Sequence, residues 1–502
     1  MRLDELTSGL SVAGSRANRD AAAVRPSRPS AAELDPEITG LAYDSRQVST
    51  GSLFFCVPGL RYDGHDHAAA AVAAGAVALV AERPLGLGVP EVIVADARAA
   101  MAPTAARFNG RPTDRLRVVG VTGTNGKTTT AFLVRALLEA AGEQCAVIGT
   151  VKTVIGGRDE VLPGTTPEAI DLQAAFARML AAGDRACAIE VSSHALELHR
   201  ADSIHFAASI FTNLTQDHLD FHRSMEDYFA AKRRLFELDP GISVINVDDE
   251  HGRRLAAGLA DPVTFGIDRE ADYAAREVAF TLTGARFLLD WAEGELELES
   301  PLPGRFNVSN VLGAVAAVHR LGVPLATIAA ALPGIAPVPG RFQPVDEGQE
   351  FAVLVDYAHT PDSLENVLAT ARALTDRRLI CAFGCGGDRD RGKRPRMGEI
   401  AARLADVVVV TSDNPRSEDP RSIVEEILAG VVGAAEVETL VDRREAVRRA
   451  IGLAGRGDVV VIAGKGHEQG QEFADGAKIP FDDVLVAREA LRDHPALQGA
   501  RG

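Results

Sequence analysis

The sequence predicts an α/β protein of three domains, with a central P-loop parallel sheet and a C-terminal doubly wound, Rossmann-like sheet. Three observations support this fold class. The chain has 502 residues, a length that corresponds to about three domains. Short apolar runs alternate with helical patterns, as in parallel sheets covered by helices. One apolar run, at residues 117–121, leads directly into a glycine-rich turn and the start of a helix.

Composition limits the partners and the compartment. Nearly half of the residues are apolar, enough for buried cores, and the net charge of −17 argues against nucleic acid or an anionic membrane as partner. The cysteines at 56, 145, 187, 381 and 385 lack zinc-like spacing, and their odd number fits a reducing cytosol. The N-terminus lacks the apolar segment of a signal peptide, and the Ala-rich run at 68–81 is too short to span a bilayer. We therefore expect a cytoplasmic monomer.

The first domain is predicted at residues 1–112. A segment at 14–36, rich in Ala, Ser, Arg and Pro, is predicted to be a mobile insertion. A strand at 52–57, an Ala-rich helix and a strand at 76–80 then indicate a small α/β unit. Residues 111–114 are predicted to form the hinge to the next domain.

The central domain (113–337) and the C-terminal domain (338–502) both alternate strands with helices, which predicts largely parallel sheets covered on both faces. A β-leaning stretch at 262–300 and a helix at 307–321 complete the central domain, and residues 337–341 form the second linker. The predicted central strands are 117–121, 145–150, 186–191, 207–213 and 243–246, and the helices are 127–141, 167–182 and 225–238. The predicted C-terminal strands are 352–355, 379–383, 407–411 and 459–463.

The segment Val118-Val-Gly-Val-Thr-Gly-Thr-Asn-Gly-Lys-Thr-Thr-Thr130 has the order of a phosphate-binding loop. Its glycines let backbone N–H groups point at an anion, and the helix N-terminus adds partial positive charge. Lys127 would contact the outer phosphates, and the Thr128 hydroxyl would bind Mg²⁺. Val121 stands where the common pattern has glycine, so the alternative is a glycine-rich turn without a ligand. The order of strand, turn, Lys-Thr and helix favours the phosphate site, but ATPases, kinases and ligases all use such loops.

Two further strands of the central domain are followed by polar residues. Glu190 ends one strand, and His218 follows the next. Because parallel strand ends converge at a ligand-binding edge, both side chains could share a metal with Thr128. The alternative makes Glu190 a helix cap and His218 a structural residue. The phosphate loop favours the metal for Glu190, whereas His218 stays open because Mg²⁺ prefers oxygen ligands.

Lys232 lies on one predicted helix face with Tyr228, Phe229, Leu235 and Phe236. A buried lysine is costly as a bare cation, so it needs an acidic partner or a chemical modification such as reaction of the neutral amine with CO₂. The alternative is that the side chain extends to the surface, which is the usual behaviour of lysine. Periodicity alone favours the surface position.

In the last domain, four polar loops directly follow four strands. They would bring ammonium, guanidinium and carboxylate groups to one sheet edge, which suits a zwitterionic ligand. Each charge alone would be interpreted as a solvated loop residue, but four such loops on four strands favour a binding site. The charged residues are Arg389, Asp413, Arg416, Lys465 and Glu468.

Together these residues resemble the Mur ligases of peptidoglycan assembly, over nearly the whole chain outside 14–36. Residues 123–129 are similar to the ATP loop of that family, and 165–167, 190–194 and 213–220 are similar to its other motifs. Residues 230–233 align with the segment whose lysine is carbamylated, so the resemblance implies a carbamate on Lys232. It implies catalytic roles for Lys127, Lys232 and His218, and a Mg²⁺ site at Thr128, Glu190, His218 and Lys232. The implied ATP-binding residues are Gly123, Thr124, Asn125, Gly126, Lys127, Thr128, Thr129, Asn310, Arg341 and Asp356.

The resemblance also implies two substrate sites. Leu198 departs from relatives that have glutamine there, so that contact is not carried over. The residues implied to bind the UDP-linked substrate are Ser45, Leu60, Arg61, Tyr62, Thr165, Thr166, Ser192 and Arg200. The residues implied to bind diaminopimelate are Arg389, Asp413, Asn414, Pro415, Arg416, Gly464 and Glu468.

The activity implied by the resemblance is that of an ATP-dependent carboxylate–amine ligase. It would add meso-2,6-diaminopimelate to UDP-N-acetylmuramoyl-L-alanyl-D-glutamate through an acyl phosphate, with Mg²⁺ as cofactor. One alternative is a lysine-adding relative, which the segment 413–416 disfavours. Another is a nucleotide-gated regulatory protein that keeps the fold without catalysis.

Overall fold

The computed structural model describes residues 1–10, 35–59, 62–433 and 435–495. The predicted mobile insertion at 14–36 lies outside these residues except for Asp35 and Pro36. These two are held by the N-terminal segment, since Asp35 Oδ1 accepts the Asp4 N–H at 2.9 Å and Pro36 O accepts the Leu3 N–H at 3.1 Å.

The first sheet has four parallel strands in the described part of the chain, in the order β1-β2-β3-β4. One face packs on the helix Ala97–Phe108, where Leu53, Phe55 and Met101 belong to one buried cluster. The strands are β1 Gly40–Ala42, β2 Ser52–Phe55, β3 Ala76–Ala81 and β4 Glu91–Ile93, and the helices are α1 Leu3–Thr7, α2 Ala68–Ala73 and α3 Ala97–Phe108.

The central sheet has eleven strands among the described residues, in the order β15-β14-β13-β12-β11-β10-β5-β9-β6-β7-β8. In this order, the stretch from β13 to β6 is parallel. The strands beyond it, β14 and β15 at one end and β7 and β8 at the other, pair antiparallel. The strands are β5 Arg117–Thr122, β6 Cys145–Ile148, β7 Thr153–Ile155, β8 Arg158–Glu160, β9 Ala186–Glu190, β10 Phe206–Phe211, β11 Ile242–Asn246, β12 Val263–Gly266, β13 Tyr273–Thr281, β14 Gly284–Trp291 and β15 Gly294–Ser300.

Helices cover both faces of this sheet, so its middle strands are mostly apolar. Two of them, α4 and α9, pack on one face through Leu133, Leu137 and Val311, and α5 packs on the other through Leu172 and Phe176. The helices are α4 Lys127–Ala140, α5 Ala169–Ala182, α6 Ser193–Glu197, α7 Met225–Arg233, α8 Glu250–Ala257, α9 Arg305–Arg320 and α10 Leu325–Ala331.

Several helix boundaries differ from the sequence prediction by one or more residues, and the structure gives a reason for two of them. The helix predicted at 167–182 begins at Ala169, because Glu168 is an extended N-cap residue with ψ 155°. The helix predicted at 225–238 ends at Arg233 and continues as the 3₁₀ turn Arg234–Phe236, the tighter winding that is common at helix C-termini.

The C-terminal sheet has the order β16-β17-β21-β18-β19-β20, parallel from β17 to β20. Buried clusters on its two faces confirm the predicted doubly wound architecture. The strands are β16 Gln343–Pro344, β17 Ala352–Asp356, β18 Leu379–Phe383, β19 Val407–Val410, β20 Glu436–Thr439, β21 Val459–Ala463, and a separate hairpin of β22 Gly470–Glu472 and β23 Lys478–Pro480. The helices are α11 Pro361–Ala373, α12 Lys393–Leu404, α13 Pro420–Leu428, α14 Arg443–Gly452 and α15 Asp483–Arg492.

Candidate active site

The turn between β5 and α4 has the geometry of an anion cradle. Gly123 and Gly126 have φ of 151° and 85°, which favour glycine. Neither position has room for a side chain: a Cβ would lie 1.9 Å from Thr212 Oγ1 at Gly123 and 2.2 Å from Asn310 Oδ1 at Gly126. The loop is therefore fixed against β10 and α9, with the N-terminus of α4 behind it.

Two lysines converge on this loop. Lys127 Nζ donates to the carbonyl oxygens of Gly123 at 2.9 Å and Thr124 at 2.7 Å, and Lys232 Nζ donates to Gly123 O at 2.8 Å. The Lys232 ammonium also lies 4.6 Å from the centre of the Tyr228 ring. Both amines can therefore act on a ligand held by the loop.

The surface position that periodicity favoured for Lys232 is wrong, because the side chain is buried, with 1% exposure. Burial lowers the pKa of Lys232 well below its ordinary value, and the nearby cation of Lys127 lowers it further. Burial also lowers the pKa of Lys127. The site thus favours a neutral amine at Lys232, the form that reacts with CO₂.

Glu190 lies buried at the end of β9, on the same sheet edge as the loop. Its carboxylate accepts the Thr150 N–H at 2.8 Å and the Thr150 hydroxyl at 3.0 Å. Gly149 leaves room for it, since a Cβ there would lie 2.3 Å from Glu190 Oε1. The helix that follows is capped by Ser192, not by Glu190, so Glu190 does not have the alternative role of helix cap.

His218 follows β10 in the left-handed region, with φ 53°. Its Nε2 lies 3.3 Å from Asp217 Oδ2, and its ring meets that of His194 edge-on at 4.8 Å. Burial lowers the pKa of His218, which favours the neutral ring needed for metal ligation. Burial raises the pKa of Asp217, but the cation of Lys393 and the hydrogen bond from the His218 N–H are among the interactions that lower it overall.

The C-terminal domain completes the site from the opposite side. Arg341, which ends the second linker, donates from its NH2 to Thr128 Oγ1 at 3.0 Å and stacks on the Tyr357 ring at 4.5 Å. Asn125 of the loop donates to Asp362 Oδ2 at 2.6 Å. Asp356 accepts the backbone N–H groups of Phe342 and Ala358, and burial raises its pKa to about 6.

A cavity of about 720 Å³ lies between these two walls. Its lining includes every residue implied to bind ATP except Gly123, together with Glu190, His218 and Lys232. Thr165, Thr166, Ser192 and Arg200 line its other end. Residues separated by more than 200 positions, such as Thr128 and Arg341, thus face one space.

The residues implied to bind the UDP-linked substrate divide into two groups. Thr166 Oγ1 donates to Glu190 O at 2.8 Å, and Arg200 donates to Thr166 O at 3.0 Å and pairs with Glu168 at 2.9 Å. Ser45 in the 3₁₀ turn Ser45–Gln47 and the exposed Tyr62 are not part of the cavity lining. Leu60 and Arg61 lie outside the described residues.

Residues of the predicted zwitterion site lie together at the ends of β19 and β21. Buried Lys465 donates to Asp413 Oδ1 at 3.3 Å, Asn414 Oδ1 at 2.7 Å and Glu468 Oε2 at 3.0 Å. Asn414 Nδ2 donates to the same Glu468 oxygen at 2.8 Å. Gly464 allows this approach, since a Cβ there would lie 2.9 Å from Asp413 Oδ2.

Arg389 and Arg416 flank that cluster. Arg416 donates from NH1 to Gly387 O at 2.7 Å, while Arg389 is exposed and donates to Asp388 O at 2.9 Å. The buried Pro415 packs against Gly387, where a Cβ would lie 1.9 Å from Pro415 O. The zwitterion site adjoins the large cavity, because the Gly464 N–H donates to the Asp356 carbonyl at 3.0 Å.

Comparison with known proteins identifies the family. Three family models match: the Mur ligase family catalytic domain at 37–117, the Mur ligase middle domain at 121–318, and the Mur ligase glutamate ligase domain at 340–466. The chain belongs to the Mur ligase family. This membership explains the spacing of the ATP loop, which departs from the common P-loop pattern.

Individual Mur ligases cover almost the whole chain. A UDP-N-acetylmuramoyl-L-alanyl-D-glutamate–2,6-diaminopimelate ligase from Geobacillus thermodenitrificans is 50% identical over 91% of this chain and 96% of its own. A ligase of the same description from Solibacter usitatus is 48% identical over 94% and 97%. A solved structure of that description is 36% identical, covers 93% of this chain and 96% of its own, and superposes with a TM-score of 0.66.

The residues present fit a Mg²⁺ ion that shares its ligands with a nucleotide. In the described ranges, no group of three His, Cys, Asp or Glu residues is arranged to hold a metal alone. Mg²⁺ keeps few protein ligands and takes the rest from phosphates and water. The Thr128 hydroxyl and the Glu190 carboxylate, on one sheet edge and lining one cavity, are the oxygen donors that such an ion needs.

Some site residues of this Mur ligase are missing from the sequence prediction. Tyr357, His359 and Asp362 line or close the cavity, and only their position after β17 could have indicated this. Lys465 was predicted from the sequence as one charge of the C-terminal edge, although the resemblance did not include it, and it contacts Asp413, Asn414 and Glu468. No helix in the described segments is long and apolar enough to cross a membrane.

Proposed function

We propose that this chain is the ATP-dependent ligase that joins meso-2,6-diaminopimelate to UDP-N-acetylmuramoyl-L-alanyl-D-glutamate, acting as a monomer in cytoplasmic peptidoglycan precursor synthesis. The observation that carries the proposal is the arrangement of the two sites. The phosphate loop opens into a cavity closed by the C-terminal domain, and a mixed-charge cluster at residues 413–468 adjoins that cavity. The names of the similar Mur ligases support the choice of substrates.

In the first step, the γ-carboxylate of the D-glutamyl residue attacks the γ-phosphorus of ATP. A carboxylate oxygen–phosphorus bond forms, the bond to the β-phosphate oxygen breaks, and ADP leaves. Two anions must approach each other, so positive charge at the meeting point lowers the barrier. Lys127, with its Nζ over the loop, and Arg341, with its guanidinium against Thr128, supply that charge.

In the second step, the amine of diaminopimelate attacks the acyl carbon. A carbon–nitrogen bond forms, phosphate leaves, and the amine proton passes to solvent. The chain positions the amino acid through Asp413, Asn414 and Glu468, whose side-chain oxygens attract its ammonium group. Arg416 selects the substrate by gripping its distal carboxylate with parallel N–H groups.

The metal would be held by Thr128, Glu190, His218 and the carbamate of Lys232. When bound, Mg²⁺ supplies positive charge to the phosphate oxygens that become more negative during transfer. Metal ligation requires the neutral ring of His218, and formation of the carbamate requires the neutral amine of Lys232; burial favours both forms.

The test is product mass after incubation with ATP, the UDP-linked dipeptide, and equal amounts of meso-diaminopimelate and lysine. We expect the diaminopimelate adduct to predominate. A predominant lysine adduct would assign the chain to the lysine-adding branch. Phosphate release without either amino acid, and no adduct, would overturn the proposal in favour of a nucleotide-gated protein.

A further inference from the structure

The hairpin of β22 and β23 lies over the segment 412–416. Gln471 donates to Ser412 Oγ at 2.9 Å and to Asp413 O at 2.6 Å. The Glu472 N–H donates to Asn414 Oδ1 at 3.0 Å, and its carbonyl accepts the Arg416 N–H at 3.1 Å. One short strand therefore fixes the backbone and the amide of the segment implied to recognise the amino acid.

Glu472 also engages the Arg416 side chain. The Nε of Arg416 donates to Glu472 Oε2 at 3.1 Å, and NH1 donates to Gly387 O at 2.7 Å. Within the described parts of the chain, NH2 has no hydrogen-bond acceptor. The protein thus engages Nε and one NH1 proton, and it leaves the NH2 protons and the second NH1 proton for a ligand.

This fixation has a physical reason. Arg416 has φ 52°, a left-handed conformation that costs free energy in a residue other than glycine. Its side chain is 21% exposed, so an unrestrained guanidinium would sample several rotamers. Affinity is weaker when a side chain must lose rotamer freedom on binding a ligand. Contacts that hold the side chain in place beforehand remove that entropic cost.

We propose that Glu472 is a positioning residue for Arg416, which makes the β22–β23 hairpin part of the selector for the amino-acid substrate. The inference rests on the proposed function, since it assigns Arg416 the distal carboxylate of diaminopimelate. Glu472 itself does not contact the substrate. It holds the guanidinium so that the NH2 edge faces a carboxylate, a group that lysine lacks at its distal carbon.

The test compares steady-state kinetics of wild type, Glu472→Ala and Glu472→Gln with diaminopimelate and with lysine. Glu472→Ala should raise KM for diaminopimelate about tenfold, the effect of one charge-assisted hydrogen bond. Its kcat, its KM values for ATP and the UDP-linked dipeptide, and its lysine kinetics should stay at wild-type levels. Glu472→Gln keeps an acceptor for Arg416 Nε and should recover most of the loss.

The double variant with Arg416→Ala separates positioning from direct binding. In the Arg416→Ala background, Glu472→Ala should cause no further loss with diaminopimelate. An equal tenfold loss in that background, or the same loss with lysine, would overturn the inference by making Glu472 a direct ligand. So would KM values of Glu472→Ala at wild-type levels.

One control variant and the wild-type protein keep the outcomes distinct. Asp475→Asn, at the exposed tip of the same hairpin, should match wild type; an equal effect there would mean general loosening of the hairpin and would overturn the inference. If wild-type protein forms no diaminopimelate adduct, the proposed function has failed. If wild type forms it but Glu472→Ala has unchanged kinetics, only the positioning role has failed.

Discussion

Lys127 and Lys232 donate to the same acceptor, the carbonyl oxygen of Gly123, at 2.9 and 2.8 Å. Two ammonium groups so close repel each other, and burial in a low-dielectric site strengthens that repulsion. Burial and then the nearby cation of Lys127 lower the pKa of Lys232 well below its ordinary value, whereas the carboxylate of Glu190 partly offsets the effect of burial on the pKa of Lys127. Lys232 is thus the lysine predisposed to be a neutral nucleophile.

We expect a carbamate on Lys232. Reaction of the neutral amine with CO₂ releases a proton and gives an anionic carbamate, whose attraction to the Lys127 ammonium lowers the electrostatic free energy. Protein equilibrated with ¹³C-bicarbonate should show one carbamate signal by ¹³C NMR, absent from Lys232→Arg. The exposed Lys152→Arg variant should keep it. A signal that persists in Lys232→Arg would contradict the assignment.

Lys127→Ala should abolish ligation. The side chain is positioned over the phosphate loop, and removal of one charged donor aimed at a transition state costs about 10²–10³-fold in kcat. The measurement is ADP and phosphate release with saturating substrates. Lys152→Ala is the matched control and should retain wild-type turnover. Near-normal ligation by Lys127→Ala would refute its role.

Arg416→Ala should impair diaminopimelate use selectively. Loss of a bidentate guanidinium–carboxylate contact corresponds to about a 30- to 100-fold drop in kcat/KM. Lysine, which has no distal carboxylate, should be affected little. Competition between the two amino acids, read by product mass, measures the ratio directly. If both substrates lose equally, Arg416 is not the selector.

Asp356 should make stability depend on pH. Burial raises its pKa from 3.8 to about 6 in the folded protein. Between these values the folded state binds more protons than the unfolded chain, so stability falls as pH rises through the window. The stability lost across the whole pH window is at most about 3 kcal/mol. Urea unfolding from pH 3.5 to 7 should show this slope in wild type and a shallower one in Asp356→Asn.

The control for the pH series is Asp475→Asn, which changes an exposed carboxylate and should follow the wild-type profile. Equal slopes in wild type and Asp356→Asn would show that the carboxylate of Asp356 is not the group that titrates in this window.

The ion pair of Arg443 and Asp483 should stabilise the C-terminal domain. Both side chains are fully buried, and Arg443 also donates to Ser412 O and Ala463 O at the ends of β19 and β21. Arg443→Met leaves a buried unpaired carboxylate and should lower the free energy of unfolding by about 3–5 kcal/mol. The double variant Arg443→Met/Asp483→Leu should recover most of the lost free energy of unfolding.

Urea denaturation of these variants provides the comparison. Arg444→Met breaks the neighbouring pair with Glu489, whose side chains are 42% and 48% exposed, and should cost about 0–1 kcal/mol. If Arg443→Met costs no more than Arg444→Met, the buried pair does not contribute as its burial implies.

The local pattern of the sequence determined much of this molecule. Alternating strands and helices predicted the parallel sheets, because βαβ units place successive strands side by side in one direction. Polar residues directly after those strands had to meet at one edge, which placed Glu190 near the phosphate loop and Asp413 near Glu468. The glycines at 123 and 126 predicted an anion cradle, because the turn depends only on neighbouring residues.

Other features were decided only by the tertiary structure. Helical periodicity placed Lys232 on an apolar face but could not say whether that face was covered. The contact of Arg341 with Thr128, across 213 positions, depends on how two domains pack. The pairing of Glu472 with Arg416 depends on a hairpin that folds over another loop. Such contacts join segments that are distant in sequence, and neither segment carries a local signal for the other. Only the tertiary packing therefore determines these contacts.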